Sequence, residues 1–138
     1  MLQSMLSSAS ALNAHIIKMD VAAHNVVNVN TPDFQSSAVT LQDSFTQTIQ
    51  RARAANQEAR NAGSNPMQVG SGVSVASINR STAPGAEIMV SDTTEVMSNT
   101  NLAVEITNMI VTQRAFEANA RVIPVTDEMM EEVTNLKQ

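Results

Sequence analysis

Residues 2–34 read LQSMLSSASALNAHIIKMDVAAHNVVNVNTPDF. Leu2, Met5, Ala9, Leu12, Ile16, Met19, Ala23 and Val26 recur at spacings of 3, 4, 3, 4, 3, 4 and 3. This is the a/d period of a heptad, and neither Gly nor Pro interrupts it. It predicts a helix over residues 2–28, roughly 40 Å long at about 1.5 Å per residue. The apolar stripe is narrow and Ala fills two of its positions, which suits a helix–helix seam better than a globular face. Such a seam needs a partner, because helix stability comes mostly from packing. The helix is expected to stop near Asn30-Thr31-Pro32-Asp33. Pro32 disfavours helical geometry at Thr31, and Asn and Asp favour turns through local side-chain hydrogen bonds. Phe34 follows as a single large apolar anchor.

A second periodic stretch occupies residues 101–138. Leu102, Ile106, Met109, Phe116, Ala120 and Ile123 continue a 3/4 pattern, interrupted at Gln113. Asn99 or Asn101 is placed to cap its start. Pro124 falls inside it, after which the stripe shifts phase to Met129, Val133 and Leu136; a kink or brief break is expected there. In an assembled state, Leu12, Ile16 and Met19 are expected to face Met109, Phe116 and Ile123 across an antiparallel seam. Between the two helices, Leu41, Phe45 and Ile49 sit four apart and suggest a weaker helix running towards Arg60, broken at Gly63-Ser-Asn-Pro66. Val73 to Ile78 partly alternates and reads as a strand. Ser81 to Gly85 is a turn, and Ile88-Met89-Val90 a second strand completing a small hairpin. The expected fold is therefore mainly α: long N- and C-terminal helices forming a coiled-coil-like pair, and a loop-rich middle with a small β-hairpin. Residues 1–30 are the N-terminal seam helix, 31–100 the middle with a short helix and the β element, and 101–138 the C-terminal seam helix.

Composition narrows the functional classes. The 138 residues are 43% hydrophobic but only 2% aromatic, with no Trp or Tyr and nine Met. Such a set packs helix on helix more easily than it fills a thick core, and Met adapts to irregular contacts. The net charge of −5 gives no basic footprint for nucleic acid. Arg51, Arg53 and Arg60 stand beside Glu58 as a solvated helix face. With no Cys, disulfides, thiolate catalysis and Cys-ligated metals are excluded. The N-terminus lacks a cationic region before an apolar one, so no cleaved secretory signal is expected, and no run approaches a membrane span.

Catalytic candidates are absent from the sequence. His15 and His24 are nine apart and cannot form the i, i+4 metal pair of helical zinc sites. Asp20 and His24, four apart, read as a surface contact. Glu128, Glu131 and Glu132 read as a solvated acidic run, and Gly70-Ser-Gly72 as a loop with no phosphate-binding Lys behind it. No enzyme, no cofactor and no metal are expected.

Two motifs carry a resemblance. Asp20-Val-Ala-Ala-His-Asn25-Val-Val-Asn28-Val-Asn30-Thr31-Pro32-Asp33-Phe34 resembles the N-terminal signature A-x-N-[IL]-A-N-x-N-T-P-G-[FY] of the flagellar rod and hook protein family, through Ala23, Asn25, Asn28, Asn30, Thr31, Pro32 and Phe34. Residues 99–123, NTNLAVEITNMIVTQRAFEANARVI, resemble the family's other signature, N-V-N-L-x-x-E-M-x-N-M-I-x-x-Q-R-x-[FY]-x-A-N-x-x-[VI], and include Asn108, Gln113, Arg114, Phe116 and Asn119. Two departures stand out: Asp33 replaces the usual Gly, and Val27 the usual Ala. Because the chain has no room for large inserted β domains, it looks most like a short, proximal-type rod protein. Its Gln-Arg-Ala-Phe-Glu-Ala-Asn run also looks like the hook and distal rod version.

The resemblance implies a structural subunit of the flagellar basal-body rod, polymerising through its terminal helices with copies of itself and other rod proteins. It further implies export by the flagellar type III apparatus and a periplasmic location without membrane insertion. On this view Asn25, Asn28, Asn108 and Asn119 fix register by buried hydrogen bonds. The alternative is a helical coiled-coil adaptor or secretion-associated protein.

Overall fold

A computed structural model describes residues 2–44, 72–90 and 92–136. The expected helix over Phe45, Ile49 and beyond, the Arg51–Arg60 cluster and the break at Gly63–Pro66 lie outside these residues. Helix α1 runs Leu2–Val27, as its unbroken heptad dictates. At its end the Asn28 backbone N–H donates to the His24 carbonyl at 3.3 Å and the Asn28 side-chain Nδ2 to the same oxygen at 2.9 Å. The chain then turns through Thr31, whose N–H donates to the Asn28 carbonyl at 3.0 Å.

Strand β1 (Ser37–Asp43) pairs antiparallel with β2 (Val73–Arg80). Strand β3 (Glu87–Val90) pairs antiparallel with β4 (Thr93–Val96). Two expectations are corrected here. Leu41 belongs to a strand and not to a helix: Val39 and Leu41, two apart, are both half-buried while Ala38 and Thr40 between and beside them are exposed, which is strand periodicity. The partner of Val73–Arg80 is β1, whose paired residues lie thirty or more positions earlier, and not Ile88–Val90, which pairs with the residues just after it. The β1–β2 ladder slips by one residue between Thr40 and Leu41. At its far end Asp43 lies opposite Val73, so the described chain leaves and returns through a two-stranded neck.

Helix α2 runs Leu102–Asn135. Asn101 caps it as expected: Oδ1 accepts from the Ala103 and Val104 N–H groups at 3.1 and 3.2 Å. Asn101→Ala should cost about 1 kcal/mol, the usual worth of such a cap. A urea midpoint equal to that of the parent would show that this cap adds nothing to the helix. Of the kink or brief break expected at Pro124, the break is corrected, because the helix continues through it. Proline removes one donor, to the carbonyl four residues back, but in a 34-residue helix packed on a neighbour that single loss does not end the run.

The two helices make the most extensive contact between elements in the described structure. They run antiparallel: Asn25, near the end of α1, bonds Glu105 in the first turn of α2, while Lys18, Val21 and Ala22 share a hollow with Glu105 and Asn108. The face of α1 that is most deeply covered is not the large apolar stripe. It comprises Ser8, Ala11, Ala14, Ala22 and Asn25. Small residues there let the neighbouring elements approach α1 closely. Ile16, at the centre of the expected seam, is 48% exposed, whereas Leu12 and Met19 are half-buried. On α2, Met109, Phe116 and Ile123 are half-buried on the same side as the buried Thr112 and Thr126.

Candidate assembly interface

The residues of the two sequence motifs meet at one junction, where α1, α2 and the start of β1 converge. Asn25 is its centre and is wholly buried. Its Nδ2 donates to the Ser37 carbonyl at 2.7 Å and to Glu105 Oε1 at 3.0 Å, and its Oδ1 accepts from the Ser37 N–H at 2.9 Å. One amide thus ties three elements separated by up to 80 positions. A buried polar side chain is tolerated only when satisfied in this way.

The turn after α1 is built from the rest of the first motif. Thr31 Oγ1 donates to Asn28 Oδ1 at 3.2 Å. Asp33 takes φ +56°, the left-handed conformation that Gly adopts freely and Asp tolerates. The substitution of Asp for Gly therefore preserves the turn. The Asp33 N–H donates to the Val96 carbonyl at 2.9 Å and the Phe34 carbonyl accepts from the Asn99 N–H at 3.2 Å. Phe34 packs edge-on to the His24 ring, centroids 5.5 Å apart. Asn30, Thr31 and Pro32 are exposed.

The second motif contributes differently along its length. Asn108 lines the hollow of about 230 Å³ between α1, β1 and α2. Asn119 Nδ2 donates to the Ala115 carbonyl of its own helix at 2.8 Å, so its bond does not cross to α1. The Asn28 bond to His24 is likewise local. Asn25, by contrast, joins separate elements through its hydrogen bonds, as expected of an asparagine that sets register. Gln113 and Arg114 both reach Glu117, at 3.0 and 2.9 Å, on the outside of α2. The Gln113 amide first, and then the Arg114 guanidinium, hold the Glu117 carboxyl below its ordinary range. His15 is pushed below the usual histidine value, first by burial and then by Lys18, and its Nδ1 is buried with no hydrogen-bond partner.

Sequence reasoning undervalued three residues. Glu105 and Asn99 stood in the quoted motif, yet only their partners across the junction show what they hold. Ser10 carried no signal: its Oγ accepts from the Val73 N–H at 3.1 Å and seats the start of β2 on α1. The outer surface is apolar beyond the junction. Leu6, Ile16 and Val27 on α1, and Val104, Val111, Val125 and Met129 on α2, are exposed. Among the described residues no group of His, Asp or Glu could hold a metal ion, and no helix is long and apolar enough to cross a membrane.

Residues 5–35 match the family described as flagella basal body rod protein, and residues 96–136 the family described as flagellar basal body rod FlgEFG protein C-terminal. These spans hold α1 from Met5 onward, all of α2, and Asn25 and Glu105 of the junction, while Ser37 lies just outside them. The chain is 40% identical over 86 residues to the flagellar hook protein FlgE of Treponema pallidum, covering 62% of this chain and 18% of that protein. It is 40% identical over 78 residues to the flagellar basal-body rod protein FlgG of Bacillus subtilis, covering 56% of this chain and 29% of that protein. The FlgG protein of Caulobacter vibrioides is 32% identical over 84 residues, covering 61% of this chain and 32% of the relative. The matched part thus spans less than a third of the length of these relatives.

Proposed function

The chain belongs to the flagellar rod and hook protein family, and on that premise we propose that it is a structural subunit of the flagellar basal-body rod, polymerising through α1 and α2 and catalysing nothing. The observation that carries this is the pair of apolar stripes that the single chain leaves wholly or partly uncovered. On α1 the stripe centres on the exposed Ile16, flanked by the half-buried Leu12, Met19 and Ala23; on α2 it is the exposed Val104, Val111, Val122, Val125, Met129 and Leu136. Exposed apolar area on this scale marks a surface that another protein covers.

The placement of the stripes supports an open assembly. Helical positions advance by about 100° each, so each stripe lies about a third of a turn from its helix's packed face, but in opposite rotational senses on α1 and α2. Viewed along one direction, antiparallel helices wind oppositely, so the two offsets become the same rotation. Applied to faces that look at one another, it turns the stripes to opposite flanks of the pair. The stripe of one copy can then meet the other stripe of the next, a heterologous contact that repeats without closing on itself.

In this reading residues 1–30 and 101–138 are the assembly arms, pair as a coiled coil in the tube wall, and carry residues 31–100 outside. Asn25 and the turn from Asn28 to Phe34 shape the arms for contact, Asn108 and Asn119 belong to the α2 face, and Gln113 and Arg114 are available to a neighbour. The partners are copies of this chain and other axial proteins, delivered to the periplasm by the flagellar type III export apparatus. The test is location: the tagged chain should copurify with basal bodies, and its deletion should leave cells without hook or filament. A chain found in the cytoplasm of fully flagellated cells would instead favour an adaptor.

A further inference from the structure

The β3–β4 hairpin stands apart from the rest. β1 and β2 lie on α1, but β3 and β4 make their substantial contacts only with one another. A lone two-stranded hairpin is marginal in water, so its direction depends on its stem. The stem is crossed by few bonds. The Met97 N–H donates to the Ala86 carbonyl at 2.8 Å, and the Asp33 N–H donates to the Val96 carbonyl at 2.9 Å. Gly85 lies so close to the Met97 carbonyl that a Cβ there would overlap it.

One side chain joins the stem to the body. Asn99 Oδ1 accepts from the Ser36 N–H at 2.8 Å, just before β1, and its Nδ2 donates to the Ala83 carbonyl at 2.7 Å, on the approach to β3. Its own N–H donates to the Phe34 carbonyl at 3.2 Å. Ser36 is in turn fastened to the exit of β2, its carbonyl accepting from the Ser81 N–H at 2.7 Å. Three stretches of chain, 34–36, 81–83 and 99, therefore share one amide.

We propose that Asn99 is a positioning residue: its amide clamps the stem of the β3–β4 hairpin to the junction, so that the hairpin projects from the helix pair in one fixed direction. The two ends of the amide have separable tasks. Oδ1 holds the base of β1, and Nδ2 holds the approach to β3. The projecting arm carries Met89, 85% exposed, together with Ile88, and a clamped stem presents both at one place relative to α2. The proposal concerns the single chain and does not depend on the rod assignment.

The absence of native Cys makes site-directed spin labelling specific. Labels at Met89→Cys and Ala118→Cys in the full-length chain should give one narrow distance distribution by double electron–electron resonance. Asn99→Asp keeps an acceptor for Ser36 but removes the donor to Ala83. It should lose the narrow peak while the helical circular dichroism is unchanged. Asn79→Ala, which removes a bond confined to Asn79 and Ser77, should keep the peak. A narrow distribution in Asn99→Asp would overturn the proposal, because backbone bonds alone would then aim the hairpin. Loss of helix signal in both Asn99→Asp and Asn99→Ala would also overturn it, by assigning Asn99 to folding and not to orientation.

Discussion

Asn25→Asp should destabilise the isolated chain by about 3–5 kcal/mol, the range for breaking a buried hydrogen-bonded network and stranding a charge. The substitution is nearly isosteric, so packing is not at issue. It replaces the Nδ2 donor by an oxygen facing the Ser37 carbonyl, 2.7 Å away in the parent, and Glu105 Oε1, 3.0 Å away. Two acceptors lose their donor, and a carboxylate at a wholly buried position is pressed against the half-buried Glu105. Chemical unfolding followed by circular dichroism would measure the loss. The pH dependence has a definite sign. Burial and Glu105 raise the folded pKa of the introduced carboxyl above its unfolded value, so the deficit relative to the parent is full at neutral pH and shrinks on acidification as that carboxyl is protonated. Adding Glu105→Gln should recover part of the stability, since an amide can donate where the carboxylate repels. A variant as stable as the parent at neutral pH would mean that Asn25 does not hold the junction.

Gly72→Ala should have the second-largest effect, about 2–4 kcal/mol, from backbone strain and steric overlap together. Gly72 has φ +114°, outside the range of residues with a Cβ, and that Cβ would overlap Ser10 Oγ. The same Oγ receives the Val73 N–H at 3.1 Å, so the overlap falls on the contact that seats β2 on α1. Ser10→Ala alone should cost about 1 kcal/mol by leaving that N–H without its acceptor. In the double variant the overlap with Oγ is relieved while the φ strain and the close approach to Ser10 Cβ, 3.1 Å, stay, so the two costs should not add. Simple additivity across the four unfolding curves would show that the two residues do not meet.

The first helix was legible because its heptad is long and uninterrupted, the second because its 3/4 pattern resumes after Gln113, and the cap at Asn101 and the turn at Pro32 because their chemistry is local. The packed face was not. Apolar periodicity locates a stripe but does not say whether the same chain covers it; here Ser8, Ala11, Ala14 and Ala22 are the covered positions of α1, and the larger Ile16 is left outward. The β pairing escaped for a different reason. Alternation in Val73–Ile78 marks a strand, yet nothing local distinguishes a partner at Ser37–Asp43 from one at Ile88–Val90. The motif asparagines were visible as motif members. Their separate tasks depend on partners up to 80 positions away, which spacing does not encode.

The neck at Asp43 and Val73 has an evolutionary consequence. Because the two strands already sit side by side where the described chain departs and returns, the closure of whatever lies between them is anchored by the ladder itself. Each doubling of a flexible excursion adds only about 0.6 kcal/mol of closure entropy, and the junction at Asn25 never senses it. Polypeptide of very different length, even an independently folding module, can be grafted at this one point while the helical arms keep their shape. Selection can then vary the girth of the chain without reshaping the helix pair.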